Sequence, residues 1–172
     1  MSAPARSRIR TRQAQPEAGA PVNPPSGPLR GACHCGAVTI TIASRPGEIT
    51  LCNCSICRRL GALWAYYPAA QVSVGGHPES TESYIQGDRT LRTVRCRTCG
   101  CVTHWEPLAA MTPTARLGVN VRNFDPEQIG RVRMRLLDGA DTWTSTFRDP
   151  PGARPPRVRK PAARKDQHGH GT

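Results

Sequence analysis

The chain has 172 residues, and its 24 Lys and Arg against 12 Asp and Glu give a formal net charge of +12 at pH 7. This length fits one ordinary domain, or a smaller domain with loose ends. Apolar stretches are only a few residues long, which excludes a membrane-spanning helix. The basic N-terminus is followed by Pro and Gly instead of an apolar segment. We therefore expect no secretory signal and a cytoplasmic protein.

The composition changes at both ends of the chain. Residues 1–28 and 149–172 hold 11 of the 17 Pro and 10 Lys and Arg against 3 Asp and Glu, and they contain no aromatic residue and no Cys. Such segments cannot bury enough apolar surface to offset the entropy of ordering, so we predict that both are disordered. Their basic residues could contact nucleic acid or another anionic partner, but a solubilising role is the simpler interpretation. The folded domain is then predicted to span residues 29–148.

In chain order, this domain shows short runs in which apolar and polar residues alternate, bounded by Gly, Pro and Asp-Gly turns. These runs predict strands, which cover residues 38–42, 63–67, 72–74, 83–86, 90–96, 102–106, 117–121, 131–136 and 142–147. Helix is scarce, and only residues 55–60 and 126–129 are expected to form a turn or two. The prediction is a mainly β domain that buries only a modest apolar surface. A bound metal ion would therefore help to stabilise its fold.

The eight Cys lie in three close-set groups inside this domain. In a reducing compartment, such spacing favours metal ligation over disulfides. Two of the groups, in Gly31-Ala-Cys-His-Cys-Gly36 and Cys96-Arg-Thr-Cys-Gly100, each offer a close pair of thiolates. Four thiolates make a closed structural zinc site, with ligands Cys33, Cys35, Cys96 and Cys99. The alternatives are a redox couple or plain buried Cys.

The remaining group, Cys52-Asn-Cys54-Ser-Ile-Cys57, is different because three thiolates leave one tetrahedral position unfilled. Three protein ligands with an open position are typical of a catalytic zinc, so Cys52, Cys54 and Cys57 are the candidate catalytic residues. Ser55 is expected to cap a short helix. The following Arg58 and Arg59 would balance the negative charge of the site or hold an anionic ligand.

Several neighbouring residues have two interpretations each. Cys101 and His104 are the obvious donors if the second zinc site is closed. Otherwise Cys101 packs as a small buried thiol, and His104 acts as a general base or, more simply, as a hydrogen-bonded histidine. The aromatic residues of the strand 63–67 either line a pocket or belong to the core. Asp138 and Asp141 are interpreted first as turn residues.

At these cysteine motifs the sequence resembles the glutathione-dependent formaldehyde-activating enzyme family, which also contains centromere protein V. The resemblance covers essentially the whole domain, with seven Cys in register, in the segments 31–36, 52–58 and 96–100. It implies an Mss4-like fold, a β-tent of short antiparallel strands stapled by zinc. The sequence departs from the founding enzymes at Cys101, where many members have Thr or Ser.

The resemblance also implies different roles for two sets of Cys. Cys33, Cys35, Cys96 and Cys99 would bind a structural zinc, and Cys52, Cys54 and Cys57 a second, catalytic zinc, giving two Zn²⁺ per chain. The implied activity is that of a zinc-dependent carbon–sulfur lyase, with glutathione and formaldehyde in equilibrium with S-hydroxymethylglutathione. The expected partner is glutathione or a similar small thiol. The alternative function is a zinc-stapled, non-catalytic binding module whose basic tails contact nucleic acid.

Overall fold

A computed structural model of the protein describes residues 27–150. The predicted tails therefore fall almost entirely outside the described residues. Within the described part the fold is mainly β, as predicted, with eleven strands and two one-turn α-helices. The strands are β1 (Leu29–Ala32), β2 (Thr39–Ile42), β3 (Glu48–Cys52), β4 (Trp64–Pro68), β5 (Val72–Gly75), β6 (Thr81–Ile85), β7 (Leu91–Cys96), β8 (Val102–Pro107), β9 (Arg116–Asn120), β10 (Arg133–Leu137) and β11 (Ser145–Arg148). The helices are α1 (Cys57–Leu60) and α2 (Pro126–Ile129). In the described part, no helix combines the length and the apolar character that crossing a membrane requires.

All nine predicted strands are present, with their ends moved by no more than three residues. The sequence pattern missed β1 and β3. In β1, Gly31 interrupts any apolar alternation, yet a Cβ there would lie 2.6 Å from the backbone oxygen of Asn123, so close packing requires the glycine. In β3, the last residue is Cys52, which belongs to a cysteine motif, so the sequence pattern did not indicate a strand there.

The residues at the ends of the two helices show where each helix begins and ends. Helix α2 lies where it was predicted, with the Asp125 side chain accepting a hydrogen bond from the amide of Glu127 and with Pro126 at its start. Helix α1 begins two residues later than predicted, and no side chain caps it, so the predicted Ser55 cap is wrong. Gly61 ends α1 in the left-handed conformation, at φ 60°.

The strands form two sheets. The small sheet has the order β1-β2-β5, and the large sheet has the order β11-β10-β3-β4-β9-β8-β7-β6. All pairs are antiparallel except β3 and β10, which are parallel, so the expectation of purely antiparallel sheets needs this correction. A parallel pair requires a long connection, and residues 53–132 supply one between these two strands. Because β10 leads into the turn at residue 138, this pairing brings the turn close to Cys52.

The main core lies between the small sheet and the middle of the large sheet. Apolar side chains of β1 and β2 meet those of β3, β4 and β9 there, and Phe124 and Ile129 close one side. A second, smaller cluster is built from Cys33, Val38 and Cys96, with Val74 packed against it. Cys33 and Cys96 of the first predicted zinc site thus belong to the packed interior, whereas Cys35 is exposed. The second cysteine group begins at the end of β3.

Candidate metal centres and active site

The first group of thiols brings together two distant segments of the chain. Cys33 and Cys35 follow β1, whereas Cys96 ends β7 and Cys99 lies in the turn before β8. Their four Sγ atoms all lie within 4.8 Å of one another. Cys35 Sγ is 3.6 Å from Cys33 Sγ and 3.6 Å from Cys96 Sγ. Zinc–sulfur bonds of about 2.3 Å in a tetrahedron place sulfurs about 3.8 Å apart. These four residues therefore fit a zinc ion.

The backbone around this group supplies hydrogen bonds to sulfur. The amide of Val38 donates to Cys33 Sγ at 3.3 Å. Gly36 and Gly100 adopt left-handed conformations, with φ of 79° and 73°, which turn the chain beneath the thiols. The amides of Cys101 and Cys35 lower the pKa of the Cys99 thiol to about 5. A thiolate, the form that binds metal, is therefore favoured at Cys99 at neutral pH.

The second group consists of Cys52, Cys54 and Cys57, whose Sγ atoms also lie within 4.8 Å of one another. Cys52 ends β3 and Cys57 begins α1, so the loop between them carries Cys54. The Cys54 amide donates to Cys52 Sγ at 3.4 Å, and the indole Nε1 of Trp64 donates to Cys57 Sγ at 3.2 Å. Such donors orient and stabilise metal-bound thiolates. The three residues that were predicted together are brought together by the fold, and they fit a metal ion.

The thiols of this group differ in acidity. Burial raises the pKa of Cys52, and it raises the pKa of Cys57 to about 12. Burial also acts on Cys54, but the amide of Cys57 and the two neighbouring thiols outweigh it, so the pKa of Cys54 is lowered. Proton loss therefore begins at Cys54. Because metal ligands are thiolates, binding of a cation here releases the protons of the other two Cys.

The two predicted donors for a fourth ligand lie elsewhere. Cys101 is partly buried and packs against the first group, beside Cys33 and Cys96. His104 is completely buried and lies with His77 and Glu106 in a separate cluster. Neither residue reaches the second group, which in residues 27–150 consists of its three Cys.

A turn that follows β10 covers Cys52. Asn53 Nδ2 donates to Asp138 Oδ1 at 2.8 Å, and the amide of Ala140 donates to Asn53 Oδ1 at 2.9 Å. A Cβ on Gly139 would lie 2.6 Å from Cys52 Sγ. The sequence interpretation of Asp138 as a turn residue is correct, but it missed that this turn packs on the cysteine group. The Asp138-Gly139 pair indicates a turn, but the sequence does not show that this turn contacts Cys52.

Two cavities meet at the second cysteine group, and Cys52 and Cys57 line both. The smaller, of about 190 Å³, is mainly aromatic and apolar. Among its lining residues are Trp64, Tyr66, Trp105 and Trp143. Trp64 and Tyr66 therefore line a pocket, whereas Tyr67 belongs to the core and donates its hydroxyl to the Ser44 carbonyl at 3.0 Å.

The larger cavity, of about 500 Å³, is an open cleft with polar groups on its wall. Asn53, Arg58 and Asp138 lie there beside Leu51 and Leu137. Arg59 points elsewhere and donates to the Ser55 carbonyl at 2.6 Å. Of the two arginines that follow the cysteine motif, Arg58 is thus the one beside the cleft.

Comparison with known proteins gives a family and a similar solved structure. Residues 28–137 match the family model described as glutathione-dependent formaldehyde-activating enzyme. A solved structure of a Rhodobacter sphaeroides protein is similar at 35% sequence identity, with a TM-score of 0.50. The similarity covers 60% of this chain and 97% of that one.

Replacing Cys54 by Ala should lower the zinc content by one equivalent relative to the unaltered chain. Two thiolates hold zinc far more weakly than three, whereas the four-thiolate group lies at a separate place and should keep its ion. Zinc is measured by mass spectrometry of the purified protein. Cys101→Ala is the matched control and should retain the full content. Equal zinc in the Cys54→Ala and unaltered chains would contradict the assignment.

Gly139→Ala should weaken metal binding at the second group alone. The added methyl group collides with Cys52 Sγ at 2.6 Å, so either the turn or the sulfur must move. Competition with a chromophoric chelator should show one zinc released more readily and the other unchanged. Gly47→Ala, where a Cβ meets nothing within 4 Å, is the control. Unchanged release of both ions would show that the turn does not support Cys52.

Proposed function

The chain belongs to the glutathione-dependent formaldehyde-activating enzyme family, and from this premise we propose that it makes or breaks the carbon–sulfur bond in thiol adducts of small aldehydes. In the forward direction the thiol sulfur bonds to the carbonyl carbon, and the thiol proton goes to the carbonyl oxygen. In the reverse reaction the carbon–sulfur bond breaks and the proton returns from the oxygen to the sulfur. The observation that carries the proposal is a group of three Cys, apart from Cys101 and His104, at the meeting point of two cavities.

In this proposal the two cysteine groups have different tasks. Cys33, Cys35, Cys96 and Cys99 hold a structural zinc that joins β1 to β7, and the burial of Cys33 and Cys96 in a packed cluster supports that role. A zinc ion on Cys52, Cys54 and Cys57 would lower the pKa of a thiol at its fourth position and keep the thiolate ready for the carbonyl carbon. The Trp64 indole and the turn at Gly139 hold those sulfurs in place.

We place the thiol substrate, glutathione or a close analogue, in the larger cleft. Glutathione carries carboxylates, and Arg58 on the wall of this cleft offers a guanidinium to one of them. Asn53 and Asp138 are already hydrogen-bonded to each other, so they form a fixed polar wall. Cys52 and Cys57 line the cleft, and the substrate sulfur would arrive beside them. The reaction is placed in the cytoplasm, where thiols stay reduced.

We place the aldehyde in the smaller cavity. Its aromatic lining excludes water and leaves room for a small carbonyl compound. Trp105 and Tyr66 pack against each other with ring centroids 5.9 Å apart, which keeps this wall rigid. A dry pocket next to the sulfur favours addition of thiolate to the carbonyl over hydration of the aldehyde.

The test is NMR exchange spectroscopy of glutathione with formaldehyde and with larger aldehydes. The protein should accelerate exchange between free thiol and adduct, and Cys54→Ala should return it to the uncatalysed rate because the thiolate is no longer held. Cys101→Ala should stay active. No acceleration for any thiol and aldehyde by the zinc-loaded protein would contradict the proposal. Salt-sensitive nucleic-acid binding without acceleration would favour the binding module instead.

Arg58→Ala should raise KM for glutathione about 1.5- to 5-fold and leave kcat unchanged, because exposed charge pairs contribute roughly 0.2–1 kcal/mol. With 2-mercaptoethanol, which has no carboxylate, steady-state rates should not change. Arg59→Ala is the matched control and should behave like the unaltered protein with both thiols. An equal effect of Arg58→Ala on both thiols would contradict carboxylate recognition.

A further inference from the structure

A third cluster of metal-binding side chains lies outside the cysteine groups. His77, His104 and Glu106 offer ligand atoms that all lie within 4.8 Å of one another. His104 and Glu106 belong to β8 and are buried, at 0% and 4% exposure, whereas His77 lies in the connection between β5 and β6. The two imidazole rings meet edge to face with centroids 5.2 Å apart. This arrangement is unrelated to the Cys motifs.

The hydrogen bonds around His104 are compatible with a tautomer that carries its proton on Nδ1. The hydroxyl of Thr103 donates its single hydrogen to the Val94 carbonyl at 3.2 Å. The same oxygen lies 3.0 Å from His104 Nδ1 and can accept a hydrogen from that nitrogen. In the neutral ring, Nε2 is then left with a lone pair. This atom is fully buried and has no hydrogen-bond partner.

His77 repeats the same pattern with a different threonine. The hydroxyl of Thr81 donates to the Pro78 carbonyl at 3.1 Å and, at 2.7 Å from His77 Nδ1, can accept a hydrogen from that nitrogen. The Nε2 lone pair of His77 then faces Glu106 Oε1 at 3.3 Å. In these tautomers two imidazole lone pairs converge on one carboxylate. The three groups repel one another unless a proton or a metal cation lies between them.

The distances fit a metal ion. His77 Nε2 is 3.3 Å from Glu106 Oε1, and His104 Nε2 is 3.5 Å from Glu106 Oε2. In a tetrahedral zinc site with bonds of about 2.0–2.2 Å to nitrogen and oxygen, neighbouring ligands lie about 3.3–3.5 Å apart. Histidine ligands commonly donate their other ring nitrogen to an oxygen acceptor, as both do here.

Arg92 sets the orientation of the carboxylate. Its Nε and Nη2 atoms both lie 2.6 Å from Glu106 Oε1, and they leave Oε2 facing His104. The Arg92 side chain is 39% exposed, so its charge is partly solvated. Arginine thus acts here as a partner that holds the ligand in place.

We propose that His77, His104 and Glu106 form a third metal site, which takes a borderline divalent cation such as Zn²⁺. Two imidazoles and one carboxylate are ligands that Zn²⁺ accepts, in contrast with the all-thiolate groups elsewhere in the chain. The ion would tie the connection between the two sheets to β8. Side chains alternate along β8, so the site lies on the face opposite Trp105, which lines the smaller cavity. The site does not depend on the proposed reaction.

The experiment is a zinc titration of the full chain with its cysteine sites already filled, followed by calorimetry and by ¹⁵N NMR of the histidine rings. One further equivalent of Zn²⁺ should bind and shift the Nε2 signals of His77 and His104, while their Nδ1 atoms stay protonated. His77→Ala should lose this equivalent, and because His77 is only partly buried, the variant should fold. His34→Ala and the tail variant His168→Ala/His170→Ala should keep it.

Two results would overturn the proposal. One is an unchanged zinc equivalent in His77→Ala, which would place the additional ion elsewhere. The other is no further binding together with protonated Nε2 atoms at neutral pH, which would mean that protons fill the space between the rings and the carboxylate. A circular dichroism spectrum of His77→Ala equal to that of the unaltered protein makes the first result decisive.

Discussion

The packing of Cys33, Cys35, Cys96 and Cys99 at tetrahedral distances is the constraint on which the rest of the structure depends. Cys35 and Cys96 are 61 positions apart in the chain, yet their sulfurs lie 3.6 Å apart. An ion at this place ties the hairpin that begins the small sheet to β7 of the large sheet. The interior around these sulfurs contains few apolar side chains, among them Val38 and Val74. Metal ligation therefore replaces part of the hydrophobic burial that a larger core would provide.

The second cysteine group uses the same ligand chemistry for a different purpose. Its sulfurs sit at the end of β3, between an aromatic cavity and a polar cleft, and the parallel pairing of β3 with β10 places the turn at Gly139 over Cys52. Two thiols of the first group, Cys33 and Cys96, are buried in a packed cluster, which suits a structural ion, whereas thiolates between two cavities suit binding of a substrate. The different surroundings, more than the number of Cys, distinguish the two groups.

Much of this could be predicted from local sequence. The spacing of the Cys predicted both groups, because neighbouring ligands bind the same ion at little cost in chain entropy. Alternation predicted most strands. The sequence did not predict β1 or β3, whose residues are explained only by their contacts, such as Gly31 against Asn123. It also did not predict the cluster around His104, because His77 comes from a separate segment and only the fold brings the two rings together.

The proposed reaction requires that the second group binds a metal ion whose fourth position accepts a substrate thiol. The most direct measurement is ¹¹³Cd NMR of the cadmium-loaded protein, in which each site gives its own signal. Addition of glutathione should move one thiolate-type signal downfield, toward the value for four sulfurs, and leave the other in place. Two results would contradict an open fourth position at the second group: both thiolate signals already indicate four sulfur ligands, or neither signal responds to glutathione.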